Sequence, residues 1–301
     1  MLTRDWRPSW PVDLELTLGP HRRGTGDPAF AVSPDGAVWR ASTTPDGPGT
    51  LRILRHGDTI EGRAWGPGAS WLLDGLPELL GAADDPTSFV PAHEILRTAV
   101  RRFGHFRVGR SRNVFEALVP AVLEQKVLGK EARRAWRYLV DKFGEAAPGP
   151  VPPHLNRPLR VPPPPRVWVG IPSWEWHKSG IEAVRARTII GAARVASRLE
   201  ATDTAEADRR LRSLPGIGVW TSAEIRQRAL GDADAVSVGD YHIPGIVGWA
   251  LAGQKVDDAG MLELLKPYAG HRYRVTRMLE LSGGGPPRRG PRMSVRDYRA
   301  F

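Results

Sequence analysis

The first seventy residues are dominated by an alternation of apolar and polar positions. Residues 12 to 18, VDLELTL, place Leu14, Leu16 and Leu18 on one face of a predicted strand. The runs AFAV and AVWRA flank the turn SPDG at residues 33 to 36, and GTLRIL is followed across residues 56 to 58 by TIEGRAW. Turn residues between alternating runs are typical of hairpins, so this part is predicted to be an antiparallel sheet.

Beyond about residue 85 the apolar spacing changes to that of amphipathic helices. Three predicted helical faces come first: Ile95, Leu96, Ala99, Val100 and Phe103; then Phe115, Leu118, Val119 and Val122; then Ala132, Ala135, Trp136, Leu139 and Phe143. Helical spacing resumes in residues 182 to 213 and again in residues 243 to 281. Residues 146 to 165 are rich in proline and are predicted to be a semi-rigid, extended connector.

These patterns predict an α+β protein with three parts. Residues 1–84 form an antiparallel β-rich N-terminal domain, and residues 85–284 form a helical region that contains the proline-rich connector. Residues 285–301, with arginines far in excess of acidic residues, form a basic tail with little to pack, which is expected to be mobile and available to phosphates.

The composition of the chain indicates what kind of partner it binds. The chain has 301 residues, of which 41% are hydrophobic, enough for real cores in roughly two domains. Its 43 Lys and Arg against 33 Asp and Glu leave a net charge of +10, which favours a polyanionic partner such as nucleic acid. An anionic membrane surface, or a compositional drift toward arginine, would explain the same charge.

Several classes of chemistry are excluded. The chain contains no cysteine, so disulfides, thiolate nucleophiles, iron–sulfur clusters and the zinc-type base deaminases are ruled out. His93-Glu94 lacks a second histidine four residues on, which excludes a zincin. The N-terminus has no signal-peptide core and no run of eighteen apolar residues occurs, so we expect a cytoplasmic protein, associated with the nucleoid if bacterial, with no membrane partner.

The segment LPGIGVWTSAEI, residues 214 to 225, carries the first functional signal. Two glycines around Ile217 leave backbone N–H groups free at the start of a helix, where the helix dipole also favours an anion. The segment therefore predicts a phosphate-binding site that positions nucleic acid without recognising its sequence. A purely structural turn between two helices remains the alternative.

Together with AVSVGDYHIPGIV downstream, this segment resembles the helix-hairpin-helix DNA glycosylase superfamily, and within it the alkylbase, 3-methyladenine type. The resemblance covers roughly residues 90 to 282. It implies a small antiparallel sheet domain before the helices, double-stranded DNA with a damaged base as the partner, and a monomer. It implies no organic cofactor and no side-chain metal site, but a structural Na⁺ or K⁺ could be held by hairpin carbonyls.

On this resemblance Asp240 is the catalytic carboxylate. Cleavage of an N-glycosidic bond builds positive charge on the sugar, which a fixed carboxylate stabilises, and the same group can orient or deprotonate the attacking water. The alternative is that Asp240 only caps a helix starting near Ile243.

Trp220 stands where the strand-cutting members of the superfamily have a lysine. An indole cannot form a Schiff base with the sugar, so lyase activity is not expected. It can instead stack on a base, and a cationic alkylated purine would add a cation–π contribution of about 0.5 to 2 kcal/mol. The alternative is that Trp220 packs within the hairpin.

The remaining candidates follow the same resemblance. Tyr241, His242 and Trp174 are expected to line the base pocket with Trp220. Gln125 and Lys126 lie in VLEQKVLGKEA, the stretch that corresponds to the wedge inserted into the duplex, although a lysine there is a departure from the family. The predicted DNA contacts are Pro215, Gly216, Ile217, Gly218, Thr221, Gln125 and Lys126.

The sequence thus predicts a monofunctional DNA glycosylase that flips and hydrolytically removes a damaged, alkylated purine and leaves an abasic site. Three alternatives stay open at this point. One is a non-catalytic helix-hairpin-helix binder of damaged or deformed DNA, and another is a glycosylase for a neutral deaminated or oxidised base. The third is an RNA-binding or structural helical protein.

Overall fold

The computed structural model describes residues 1–200 and 203–286. Its N-terminal part is a five-stranded antiparallel sheet in the order β1-β5-β4-β3-β2. The strands are β1 (Leu2–Trp6), β2 (Phe30–Val32), β3 (Val38–Thr44), β4 (Gly47–His56) and β5 (Thr59–Trp65). The two predicted hairpins are confirmed: the SPDG turn joins β2 to β3, and residues 57 and 58 join β4 to β5.

The predicted strand over residues 12 to 18 is wrong. Leu14–Leu18 is a helix, α1, because the carboxylate of Asp13 accepts the backbone N–H of Leu16 at 2.9 Å and caps its first turn. The strand that pairs with β5 is instead Leu2–Trp6, which the alternation did not predict.

Helices begin earlier than predicted. The sheet continues directly into α2 (Ala69–Asp74) and α3 (Leu76–Leu79). Leu72 and Leu76 of these helices share an apolar core with Leu51, Ile53 and Ile60 of the sheet. Because one face of the sheet is covered in this way, the N-terminal part has a core of its own.

The helices of the larger, C-terminal part are α4 (Glu94–Phe103), α5 (Val114–Leu123), α6 (Gly129–Phe143), α7 (Pro165–Gly170), α8 (Ser173–Ser179), α9 (Ala183–Arg194), α10 (Ala196–Leu199), α11 (Thr204–Arg212), α12 (Val219–Ala229), α13 (Ile243–Ala252), α14 (Asp258–Leu265) and α15 (Arg272–Leu281). Most of them follow the predicted apolar spacing, whereas α7 and α8 fall in residues 165–179, where no helix was predicted. Within the described ranges no helix is long and apolar enough to cross a membrane.

These helices build two cores. The first is centred on α5, every residue of which is buried except Glu116, and it includes side chains of α6, α9 and α12. The second combines α4, α13, α14 and α15. The segment from Leu230 to His242 runs from the first core to the second, so any side chain on it lies where the two groups of helices meet.

The proline-rich connector is docked rather than free. Its ends pair as two short strands, β6 (Glu145–Ala146) and β7 (Arg160–Val161). Leu159 and Val161 pack with Trp39 of the sheet, and the Thr43 hydroxyl donates to the carbonyl of Pro162. The connector therefore joins the sheet to the helices. The predicted basic tail, from residue 287 onward, lies outside the described residues.

Candidate active site

The hairpin between α11 and α12 needs its two glycines for different reasons. Gly216 has φ +87°, and a Cβ on it would collide with the Thr188 hydroxyl, which donates to the Pro215 carbonyl at 3.2 Å. Gly218 has φ −94° and open space where a Cβ would stand. Gly216 is thus required by the fold, whereas nothing inside the described part of the protein requires glycine at 218.

Gln125, in the turn after α5, anchors the hairpin through two hydrogen bonds. Its amide nitrogen donates to the Gly216 carbonyl and to the Thr221 hydroxyl, both at 2.8 Å. The next residue, Lys126, is exposed and has φ +53°, a left-handed conformation that is uncommon for a lysine. In the turn after α5, the amide of Gln125 is therefore bonded to the hairpin, and Lys126 is exposed to solvent beside the hairpin.

Asp240 follows Gly239, which has φ +90° and allows the chain to turn before α13. One carboxylate oxygen, Oδ1, accepts the backbone N–H groups of His242 at 2.7 Å and of Ile243 at 3.0 Å. The other, Oδ2, accepts the indole N–H of Trp220 at 3.1 Å. The carboxylate caps the start of α13 and is held in one orientation by three donors, so the capping and catalytic interpretations are compatible.

Asp240 lies at a cavity of about 540 Å³ between the N-terminal part and both helical cores. This is within the usual range of ligand cavities, about 300 to 1,000 Å³. Its walls come from the loop after α1, from Glu124 just after α5, from α6, α12 and α15, and from the segment that leads into α13. The lining residues are Gly19, Pro20, Arg22, Arg23, Gly24, Thr25, Glu124, Arg133, Glu224, Gln227, Arg228, Ser237, Asp240, His242, Ile243, Tyr273, Thr276, Arg277 and Glu280.

The wall that α12 contributes is a hydrogen-bonded network. Glu224 accepts from the Ser237 hydroxyl at 2.6 Å and from the Arg228 guanidinium at 2.8 Å. Arg228 also donates to the carbonyl of Pro20 at 3.0 Å, which fixes the loop after α1 against α12. Burial acts to lower the pKa of Arg228, but the charges of Glu224, Tyr273 and Glu124 and the hydrogen bond to Glu224 together outweigh it, and the pKa is raised. Arg228 therefore stays charged.

Two other carboxylates of the cavity also face arginines. Glu124 lies 3.8 Å from Arg23, and Glu280 accepts from Arg277 at 3.1 Å. Burial raises the pKa of Glu280 and lowers that of Arg23, as expected for charged groups withdrawn from water. The cavity is thus lined by both acidic and basic side chains, and these glutamates each face an arginine.

The predicted base-pocket residues are only partly brought together. Asp240 and His242 line the cavity, and Trp220 touches it through its hydrogen bond to Asp240. Tyr241 is 87% exposed and stands beside the His242 ring, outside the lining. Trp174, on α8, is 61% exposed and does not line the cavity either.

Several lining residues were not identified from the sequence. Glu224, Gln227 and Arg228 follow Trp220 at helical spacing, and this polar stripe was an available signal. Tyr273, on α15, and the loop after α1 reach the cavity only through tertiary packing, so no local pattern could have found them.

A monovalent cation at the hairpin remains a prediction. The carbonyls of Pro215 and Gly216 already accept side-chain hydrogen bonds, so a cation there would share or use other backbone oxygens. Among the described residues no cluster of three or more histidine, aspartate or glutamate side chains could hold a metal ion.

The fold is that of known structures. It matches a 3-methyladenine DNA glycosylase from Archaeoglobus fulgidus with a TM-score of 0.77 at 18% identity, over 93% of this chain and 98% of that one. It matches MBOgg1, solved with a low-affinity DNA ligand, with a TM-score of 0.72 at 16% identity, over 93% and 95%. A Clostridium acetobutylicum 8-oxoguanine glycosylase/lyase gives 0.70 at 10% identity, over 92% and 95%.

No protein-family model matches the sequence, and no curated protein sequence matches it significantly. The structural likeness, which spans nearly the whole of each chain, establishes that this protein has the fold of the helix-hairpin-helix DNA glycosylases. The α+β fold class predicted from the sequence is confirmed.

Proposed function

We propose that the protein is a monofunctional DNA glycosylase that hydrolyses the bond between a damaged base and its sugar. The observation that carries the proposal is Asp240, whose carboxylate is held by three N–H donors at the edge of a cavity large enough for a nucleobase. The whole-chain likeness to glycosylases of two substrate classes supports the same reaction.

Asp240 acts on the sugar. As the base departs, positive charge develops on the sugar ring, and the fixed carboxylate stabilises it without having to reorganise. The same carboxylate orients the water that attacks, and accepts its proton. Trp220 takes no part in covalent chemistry because its indole nitrogen has no lone pair for attack on the sugar, so the product is an abasic site in an uncut strand.

DNA is bound by the hairpin and by the turn after α5. The N-terminus of α12, which no described side chain caps, offers its backbone N–H groups to a phosphate. Lys126 stands beside the braced hairpin, where it contacts the duplex next to the extruded nucleotide. Such contacts position the duplex without selecting a sequence.

An alkylated purine is the first substrate to test. Its base is cationic and leaves readily, which suits a site with a carboxylate but no evident acid for the leaving group. A neutral deaminated or oxidised base is the second candidate. It is favoured by the arginines of the cavity lining, which could donate to a carbonyl oxygen of such a base.

The test is base release from duplexes that each contain one lesion, with abasic sites revealed by mild alkali. Wild type is compared with Asp240→Asn, which retains an oxygen for the backbone N–H groups of α13 and therefore preserves the cap. The variant is expected to lose base release and to keep its duplex affinity. Unchanged release by Asp240→Asn would refute the assignment of Asp240.

The substrate panel contains alkylated, deaminated and oxidised purines. Release of alkylated bases alone supports the first candidate, and release of the neutral bases supports the second. Tight binding of lesion duplexes with no release from any of them would favour the non-catalytic damage binder.

A further inference from the structure

Two arginines of the cavity have no partner for their charge. Arg22, on the loop after α1, and Arg133, on α6, both line the cavity that contains Asp240. Neither guanidinium makes a hydrogen bond or an ion pair with any residue in the described ranges. The other three arginines of the cavity each face a glutamate.

The exposed side chain of Arg133 lies against two glycines. A Cβ on Gly24, which has φ +78°, would lie 2.5 Å from the Cδ atom of Arg133. A Cβ on Gly129 would lie 3.2 Å from its Nη2 atom. The side chain therefore lies against backbone on both sides, in space that any larger residue would fill. An exposed guanidinium without an acidic partner is available to an anion.

We propose that Arg22 and Arg133 form a phosphate clamp that binds the DNA backbone beside the extruded nucleotide. The inference rests on the proposed function. If the sugar of that nucleotide lies at Asp240, its flanking phosphates lie within a few ångströms of the same cavity, where the two free cations are. Guanidinium groups bind phosphate oxygens through paired hydrogen bonds.

The clamp is separate from the hairpin, whose residues do not line the cavity, and it includes a residue of the N-terminal part. The duplex would thus be held at two places, by backbone N–H groups at Gly218 and by side chains at the clamp. The loop after α1 would bind DNA as well as close the cavity, a role that the sequence did not indicate.

The test measures binding to a duplex with a stable abasic-site analogue, which needs no catalysis. Affinity is measured by fluorescence anisotropy over a range of salt for wild type, Arg22→Gln and Arg133→Gln. The matched control is Arg137→Gln, the same charge change one turn further along α6 at a residue outside the cavity lining. Arg137 donates to the carbonyl of Thr25, so its guanidinium is already used.

Each clamp variant is expected to bind about tenfold more weakly at low salt, as for the loss of a charge-assisted hydrogen bond. The slope of log affinity against log salt should become shallower by about 0.9 for each phosphate that the variant no longer neutralises. Arg137→Gln should leave that slope unchanged. Equal effects of Arg133→Gln and Arg137→Gln would mean a general charge effect and would overturn the clamp.

A second measurement locates the phosphate that the clamp binds. Single phosphates around the abasic site are replaced, one at a time, by neutral methylphosphonates. At one or two positions the replacement should weaken binding by wild type and leave binding by Arg133→Gln unchanged. No position with such coupling would also overturn the clamp. Failure of wild type to bind any duplex is a separate result, because it would refute the proposed function itself.

Discussion

The hydrogen bond from Trp220 to Asp240 leads to a prediction that separates two roles of the indole. The sequence indicated base stacking, whereas the structure adds a donor 3.1 Å from the carboxylate of Asp240. Trp220→Phe removes the N–H group and keeps an aromatic ring of similar thickness. Trp220→Ala removes both.

The size of the effect follows from the geometry. Hydrogen bonds to charged groups contribute about 1.5 to 3 kcal/mol, and Asp240 keeps its other two donors in the variant. If the indole orients the carboxylate, Trp220→Phe should lower the single-turnover rate of base release about 10- to 100-fold, with little change in duplex affinity.

The assay is single-turnover base release, on whichever lesion the panel identifies. Trp249→Phe is the matched control, since Trp249 is a partly exposed tryptophan of α13 with no hydrogen bond to Asp240. A Trp220→Phe rate equal to wild type, with loss only in Trp220→Ala, would refute the orienting role and leave stacking.

Two further predictions concern the hairpin and pH. Gly216→Ala should destabilise the fold, because the position has a left-handed backbone and no room for a methyl group, whereas Gly218→Ala should keep the melting temperature and weaken DNA binding; equal melting temperatures would contradict this. Burial and neighbouring arginines hold the pKa of His21 well below its ordinary value, so its neutral form is favoured by folding. The free energy of unfolding should therefore fall as the pH drops below about 6.5, by at most about 1.4 kcal/mol per pH unit for this proton, and His21→Gln should flatten that slope in denaturant titrations.

Local pattern and a few motif residues were enough to predict much of this protein. The hairpins of the sheet and most helices from Glu94 onward follow from apolar spacing, because each element must bury one face. The hairpin glycines could be singled out because a short segment carries their chemistry, and Asp240 was singled out by the resemblance of a second short segment, residues 235 to 247, to a known family. Residues 12 to 18 form a helix despite their alternation because period-two apolar spacing over so short a run does not outweigh a cap, and Asp13 provides one.

Tertiary structure decided what surrounds Asp240. The cavity is assembled from elements far apart in the chain: the loop after α1, the end of α5, α12 and α15. Trp220 donates to Asp240, and Tyr241 is exposed to solvent, because the direction of a side chain depends on how its helix or turn is packed. Arg22 and Arg133 are far apart in sequence and acquire a shared role only where the fold brings them to one cavity. A sequence pattern reflects the packing of one helix or strand at a time, whereas a site depends on how several helices, strands and loops are placed relative to one another.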